Sequence, residues 1–393
     1  MPASAPRPPR HLAGARLLAQ GLIVPADGAP TPTPARVARS FGAHQGQDLA
    51  GVVSSLALRS GGRVEPVLEA FDRGEVVRGY PMRGTVFALA ADTLAWLTEL
   101  CAAGPVRAAI TRRPTLGLDE AQVARAGEVL AELVAPVSDR GAGRGALRAE
   151  VMQAWEDAGI ATTGGRGYHL LTHHLSTGLV AYGPWREGET AVVLASSWLP
   201  PGSDLAGAFG GDRIAAVAEL TRRYLLTHGP ASERDLAWWS KLPLGEIRAA
   251  LPQVEAELES GWADTQGHLH ADAAAARRGG GERLWWRPGL AEEYAAREKE
   301  SMRELLLPGF DELVLGYRDR LFLMDEDRHD RLVPGNNGVF KRAALRRGEV
   351  VGFWSRTGTA GKRKLVLEEL TTISPTQRGR FERLFRTFPT PVP

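Results

Sequence analysis

The chain has 393 residues, 44% hydrophobic and 24% charged, the composition of a globular protein of roughly two to four domains. It lacks any apolar run of about eighteen residues, which excludes a helical membrane span by hydropathy, and its single Cys101 excludes an intrachain disulfide or cysteine metal site. The net charge of +2 does not announce a nucleic-acid partner, but residues 276–393 hold 23 basic against 17 acidic side chains.

Residues 1–8 lack the apolar core of a secretory signal. They are expected to be a disordered lead on a cytoplasmic protein. Residues 9–23 space Leu12, Leu17, Leu18, Leu22 and Ile23 for a helix. Thr33 and Pro34 then mark a helix start, with Ala35, Val37, Ala38 and Phe41 on its apolar face. Asp48 is placed to cap the next helix, 49–59. Between the two lies Gln45-Gly46-Gln47, whose amides share a face only if the segment is extended. A helix over 64–72 follows, then two strands about a turn within 75–89, and a helix from Asp92 to Leu100. Helices followed by a two-stranded wing form the winged-helix pattern.

The pattern recurs. Helices over 118–134, 146–158 and 162–178 precede strands 179–182 and 190–194, with the turn placed at 183–189. After a linker at 200–211, Asp212 caps a helix to His228, Ser232 caps 233–240, and 244–258 reads as a third helix. Residues 261–264 and 268–270 supply a small third wing about Gly267. Beyond a low-complexity joint at 271–281 the chain changes character. A helix over 293–307, strands at 310–317, 350–354 and 364–369, and a last helix at 375–385 are expected. The predicted fold is α+β: a first winged helix over 9–117, a second over 118–205, a third over 206–272, and a β-rich C-terminal domain over 282–393. Trp238-Trp239 and Trp285-Trp286 are expected in the core or between domains.

The order of motifs resembles the YcaQ/AlkZ family of crosslink-repair DNA glycosylases. The residues that carry the resemblance are Gln45-Gly46-Gln47-Asp48 with Arg59 downstream, Met82-Arg83-Gly84-Thr85, Arg222-Arg223-Tyr224-Leu225 and His228-Gly229-Pro230-Ala231-Ser232. Pro308-Gly309-Phe310-Asp311-Glu312 and the run from Val333 to Phe340 complete the set, with Gly348 to Trp354 after them. The family pattern places two catalytic polar residues in the first winged helix, which map onto Gln45 and Gln47, the Gln-x-Gln branch. The middle residue is usually apolar, and here it is Gly46, a residue small enough to leave the loop free or give room to a bulky lesion.

The resemblance implies a C-shaped arrangement of the winged helices around double-stranded DNA that contains alkylated purines or interstrand crosslinks. It implies hydrolysis of the N-glycosidic bond of N7-alkylated purines, either in general repair or as self-resistance to one DNA-alkylating natural product. Neutral amides are poor general bases, but they can fix a water and steady a developing charge, which suffices for a base whose bond is weakened by alkylation. Asp48 is an assisting candidate. No lysine precedes Lys241, so a monofunctional enzyme that leaves an abasic site is expected. His173-His174 and Asp327-Arg328-His329-Asp330 lack a clean ligand spacing, and neither a metal nor another cofactor is expected. The candidate DNA contacts are Arg59, Arg83, Thr85, His169, Thr172, Arg318, Arg320 and Asn336. A monomer is expected, since no dimerisation helix stands out. The competing reading is a winged-helix transcriptional regulator without enzymatic activity.

Overall fold

A computed structural model describes residues 8–23, 30–135, 145–271, 281–336, 338–359 and 362–391. The lead at 1–7 and most of the 271–281 joint lie outside the described residues.

Local capping builds the first unit. Thr33 Oγ1 accepts from Arg36 N at 3.2 Å at the head of the Pro34–Phe41 helix. That helix ends at Gly42, whose φ of 79° is open to glycine at little cost. The reversal delivers the chain into strand β1 (His44–Gln45), and Asp48 Oδ1 accepts from Gly51 N at 3.0 Å to start Leu49–Arg59. Strands β2 (Val76–Met82) and β3 (Thr85–Ala90) follow. Their two-residue turn, Arg83-Gly84, has φ of 61° and 67°, the mirror-image turn that matches strand twist. The second hairpin, β4 (Val180–Arg186) and β5 (Glu189–Leu194), repeats the device with Glu187-Gly188 at 50° and 86°.

The two hairpins share one sheet of order β1-β3-β2-β4-β5, joined where Arg78 pairs with Tyr182. Each is preceded by its own helices and its own core. Val37, Phe41, Val52, Leu56 and Phe71 pack in the first, and Val123, Leu130, Trp155, Leu170 and Leu175 in the second. A third helix group, Arg213–His228, Glu233–Ser240 and Leu244–Ala250, leads to β6 (Glu259–Ala263) and β7 (Leu269–His270), with β8 (Leu284–Trp286) on the other side of β6. Its Tyr224, Leu236 and Trp239 merge with Phe87, Leu94 and Trp96 of the first unit into the largest core. The last sheet is β12-β11-β10-β9, with β9 (Glu304–Leu306), β10 (Arg342–Arg346), β11 (Glu349–Thr357) and β12 (Lys364–Glu369), backed by the Pro375–Arg386 helix.

Several expectations change. Residues 310–317 are not a strand: Glu312–Leu315 is a short helix capped by Asp311, whose Oδ1 accepts from Leu313 N at 2.9 Å. A short apolar run cannot by itself separate a buried helical turn from a strand, and the cap decides it. The 200–211 linker contains the Leu205–Phe209 helix, capped by Asp204. The 293–307 helix stops at Ser301, because the chain turns into β9 at Glu304. The Arg10–Ala19 helix packs on both sides: Ala13 and Leu17 enter the largest core, while Ala15 and Leu18 pack on Leu284, Trp286, Leu290 and Tyr294.

Candidate active site

Gln45 sits at the end of β1, opposite Phe87 of β3, and is 5% exposed. Its backbone N–H donates to Glu312 Oε1 at 2.6 Å. Its side-chain amide is engaged at both ends: Nε2 donates to Thr85 Oγ1 at 3.4 Å, and Oε1 accepts from Gln47 N at 3.1 Å. The amide therefore braces the loop that follows it.

Gly46 is pinned on both sides. Its N–H donates to Val86 O at 2.9 Å, and its carbonyl accepts from Arg78 Nη2 at 2.8 Å. Arg78 is buried, which pushes its guanidinium below the ordinary arginine value, and its Nη1 donates to Thr190 Oγ1 at 2.8 Å. A Cβ at Gly46 would lie 3.1 Å from Ala88 N and from Phe87 C. A side chain there would press on the β3 backbone, which would have to give by a few tenths of an ångström. The expectation of a free loop, or of lesion room at Gly46, is corrected, because the missing side chain faces a strand.

Gln47 is the exposed member, and its side chain has no hydrogen-bond partner among the described residues. Asp48 is half-buried. One oxygen caps the following helix, and Oδ2 lies 3.8 Å from Arg342 Nη2. A cavity of about 460 Å³ opens beside Asp48, lined by Phe310, Phe340, Arg342, Phe353 and Trp354. One free amide and one partly satisfied carboxylate on a braced loop can position a water by donating to and accepting from it.

The support beneath the loop is a buried polar network. Glu312 is 1% exposed, and its Oε2 lies 3.1 Å from Trp239 Nε1 and 3.3 Å from His228 Nε2. Arg59 Nη1 and Nη2 both reach the Asp311 carboxylate at 2.9 Å, and Nη2 also donates to Gln20 Oε1 at 2.8 Å. Burial would raise the Asp311 carboxyl, but the adjacent Arg59 holds it below the usual range. His44 and His228 are kept neutral chiefly by burial, which pushes both below the ordinary imidazole value, His44 far below.

A family model for AlkZ-like DNA glycosylases matches residues 38–388. The chain belongs to the AlkZ-like DNA glycosylase family. No curated protein sequence matches it. In fold it is similar to the Streptomyces sahachiroi DNA glycosylase AlkZ, with a TM-score of 0.63 at 18% identity and 98% of each chain covered. Membership favours the glycosylase over the regulator. The braced Gln45-Gly46-Gln47 loop lies within the matched residues.

Around that loop the expected DNA contacts separate. Arg83, His169 and Thr172 come together on a second cavity of about 460 Å³, with Arg112 and Tyr168. Its His169 is 8% exposed, and burial pushes its imidazole below the ordinary value. Thr85 faces Gln45. Arg320 is 9% exposed, its Nε donating to Val314 O at 3.0 Å, while Arg318 is exposed with Nη1 3.5 Å from Glu282. Arg59 is a correction: its guanidinium is 4% exposed and committed to Asp311, so it faces the protein interior. The side chain of Asn336 lies outside the described residues.

Sequence reasoning missed Glu312, Arg78 and Thr190 as partners of the loop. The Pro308–Glu312 motif was a visible signal for the first, but not for what it touches. Among the described residues no group of three metal-ligating side chains converges, and no helix is long and apolar enough to cross a membrane.

Proposed function

We propose that this chain hydrolyses the N-glycosidic bond of N7-alkylated purines in double-stranded DNA, bulky adducts and interstrand crosslinks included, and leaves an abasic site. The observation that carries the proposal is the division of labour in the loop. Gln45 is spent on bracing, whereas Gln47 keeps a free amide next to Asp48. An N7-alkylated purine is already cationic and leaves without further protonation. The protein needs to hold water at the sugar carbon and stabilise an oxocarbenium-like state, which an amide carbonyl and a nearby carboxylate do. Water as nucleophile gives the monofunctional outcome.

The three helix groups with their hairpins support a winged-helix reading, with the domain limits given above, a monomer, and a DNA-holding face that curves around the duplex. The aromatic cavity beside Asp48 supports the narrower idea of an enzyme dedicated to the bulky adduct of one natural product.

The test is single-turnover release of base from duplexes carrying N7-methylguanine or a nitrogen-mustard crosslink. Wild type is expected to release base without strand scission, and Gln47→Ala to be slower by about 10²-fold, the cost of losing one stabilising group. Release by wild type no faster than by a Gln45→Ala, Gln47→Ala double variant sinks the proposal.

A further inference from the structure

Trp238, expected in the core or between domains, is half-buried, and three cations surround its ring. Arg83 Cζ lies 4.9 Å from the ring centroid, Arg320 Cζ 5.0 Å and Lys241 Nζ 5.2 Å. Each comes from a different part of the chain: the β2–β3 turn, the segment after Gly316, and the end of the Glu233–Ser240 helix. Among the described residues none of the three forms an ion pair, although arginines such as Arg73, Arg213, Arg222 and Arg223 all do. The carboxylates nearest in charge are Glu312, facing Arg83, and Asp319, facing Arg320, and neither is within ion-pair distance. Glu312 is moreover occupied by Gln45, Trp239 and His228.

Gathering three like charges costs free energy that one indole face offsets only in part. The strain is visible in the residues themselves. Burial and the Arg83 charge push Arg320 down to about 10, and burial and Arg83 likewise lower Lys241. Arg83 Nη1 is buried with no hydrogen-bond partner. Two of the three also hold backbone that L-residues avoid, Arg83 at φ 61° and Lys241 at φ 63°. Cations gathered without a carboxylate are suited to an arriving anion, which would relieve their mutual repulsion.

The cluster adjoins the active loop on two sides. Arg83 stands two residues from Thr85, which holds the Gln45 amide. Arg320 also lies over Phe340 at 5.6 Å, and Phe340 lines the cavity beside Asp48.

We propose that Arg83, Lys241 and Arg320, gathered on Trp238, form a clamp for a DNA backbone phosphodiester next to the lesion. The inference rests on the glycosylase reading for its DNA partner. The clamp supplies two guanidinium forks and one ammonium to a single anion, a set suited to phosphate oxygens and indifferent to base sequence. Seating that phosphate fixes the register of the strand, and so which sugar faces Gln47 and Asp48.

The test follows binding of the full chain to a fluorescein-labelled undamaged duplex across a NaCl series, for wild type, Lys241→Gln and Lys241→Arg. Lys241 is exposed, so its replacement leaves folding intact, which thermal melting checks. Losing one phosphate contact lowers the slope of log K against log salt by about 1 and weakens binding about five- to tenfold at 0.1 M salt. Lys241→Gln is expected to show both on every duplex sequence, with Lys241→Arg close to wild type. An unchanged slope and affinity in Lys241→Gln overturns the clamp, even where base release is normal. A slope that falls as expected in a protein that releases no base upholds the clamp and removes the glycosylase reading.

Discussion

Arg59 and Arg83 stand 24 positions apart, and on sequence alone both belong on a DNA surface. They end in opposite electrostatic settings. Arg59 is buried in a bidentate pair with Asp311 and has Gln20 as a further acceptor. Arg83 is half-buried among cations, with no ion pair among the described residues. The same side chain does framework work where a carboxylate meets it, and stands ready for a ligand where none does. The partner, and not the arginine, carries the role.

The contrast is most exposed to denaturation. Arg59→Ala leaves Asp311 as an unpaired buried charge, and a loss of about 3–5 kcal/mol in urea unfolding is expected. Arg83→Ala, which relieves repulsion, is expected to stay within about 1 kcal/mol of wild type. Equal losses would erase the distinction.

A smaller effect is expected where the framework touches the loop. Glu312→Gln keeps the shape but replaces a charged acceptor of the Gln45 N–H and presents an amide NH2 among donors. A lost charge-assisted hydrogen bond of about 1.5–3 kcal/mol corresponds to a roughly ten- to hundredfold slower base release in single-turnover assays. An unchanged rate would make Glu312 a packing residue only, and would separate the framework from the chemistry.

The gentlest probe is pH. His44, His173, His174 and His228 all have folded values below the ordinary 6.5, burial being the foremost cause, with His173 and His174 at about 4. The unfolded chain takes up these protons first as pH falls. Their contribution to stability is therefore complete above pH 6.5 and declines between 6.5 and about 4. The urea midpoint is expected to be lower at pH 5.5 than at pH 7.5, and a flat profile would show that these rings reach solvent.

Much of the scaffold was legible from short-range chemistry. Thr33-Pro34, Asp48, Asp212 and Ser232 announced helix starts, and all four cap as expected. The strands of the first hairpin were visible in their β-branched and aromatic runs, and the turn within 75–89 falls at Arg83-Gly84. What sequence hid was contact at long range. Glu312 reaches Gln45 across 267 positions, and Asp311 reaches Arg59 across 252, so neither partnership leaves a local trace. Gly46 was misleading for the same reason. Its need for space is set by β3, some forty residues on, and spacing within the loop says nothing of it. Of the Trp pair, Trp239 is buried in the core and Trp238 packs against its edge.

Arg78 has one further consequence. Its guanidinium ties the Gly46 carbonyl to Thr190 of the second hairpin, while Glu312 from near the last sheet holds the residue before it. Three distant stretches of chain thus converge on one tripeptide. The loop is a keystone, held in shape only once its flanking stones are set. A chain still emerging from the ribosome, or one cut after the first hairpin, carries both glutamines and lacks the geometry. The loop's geometry then waits on residues made long after it, Glu312 above all.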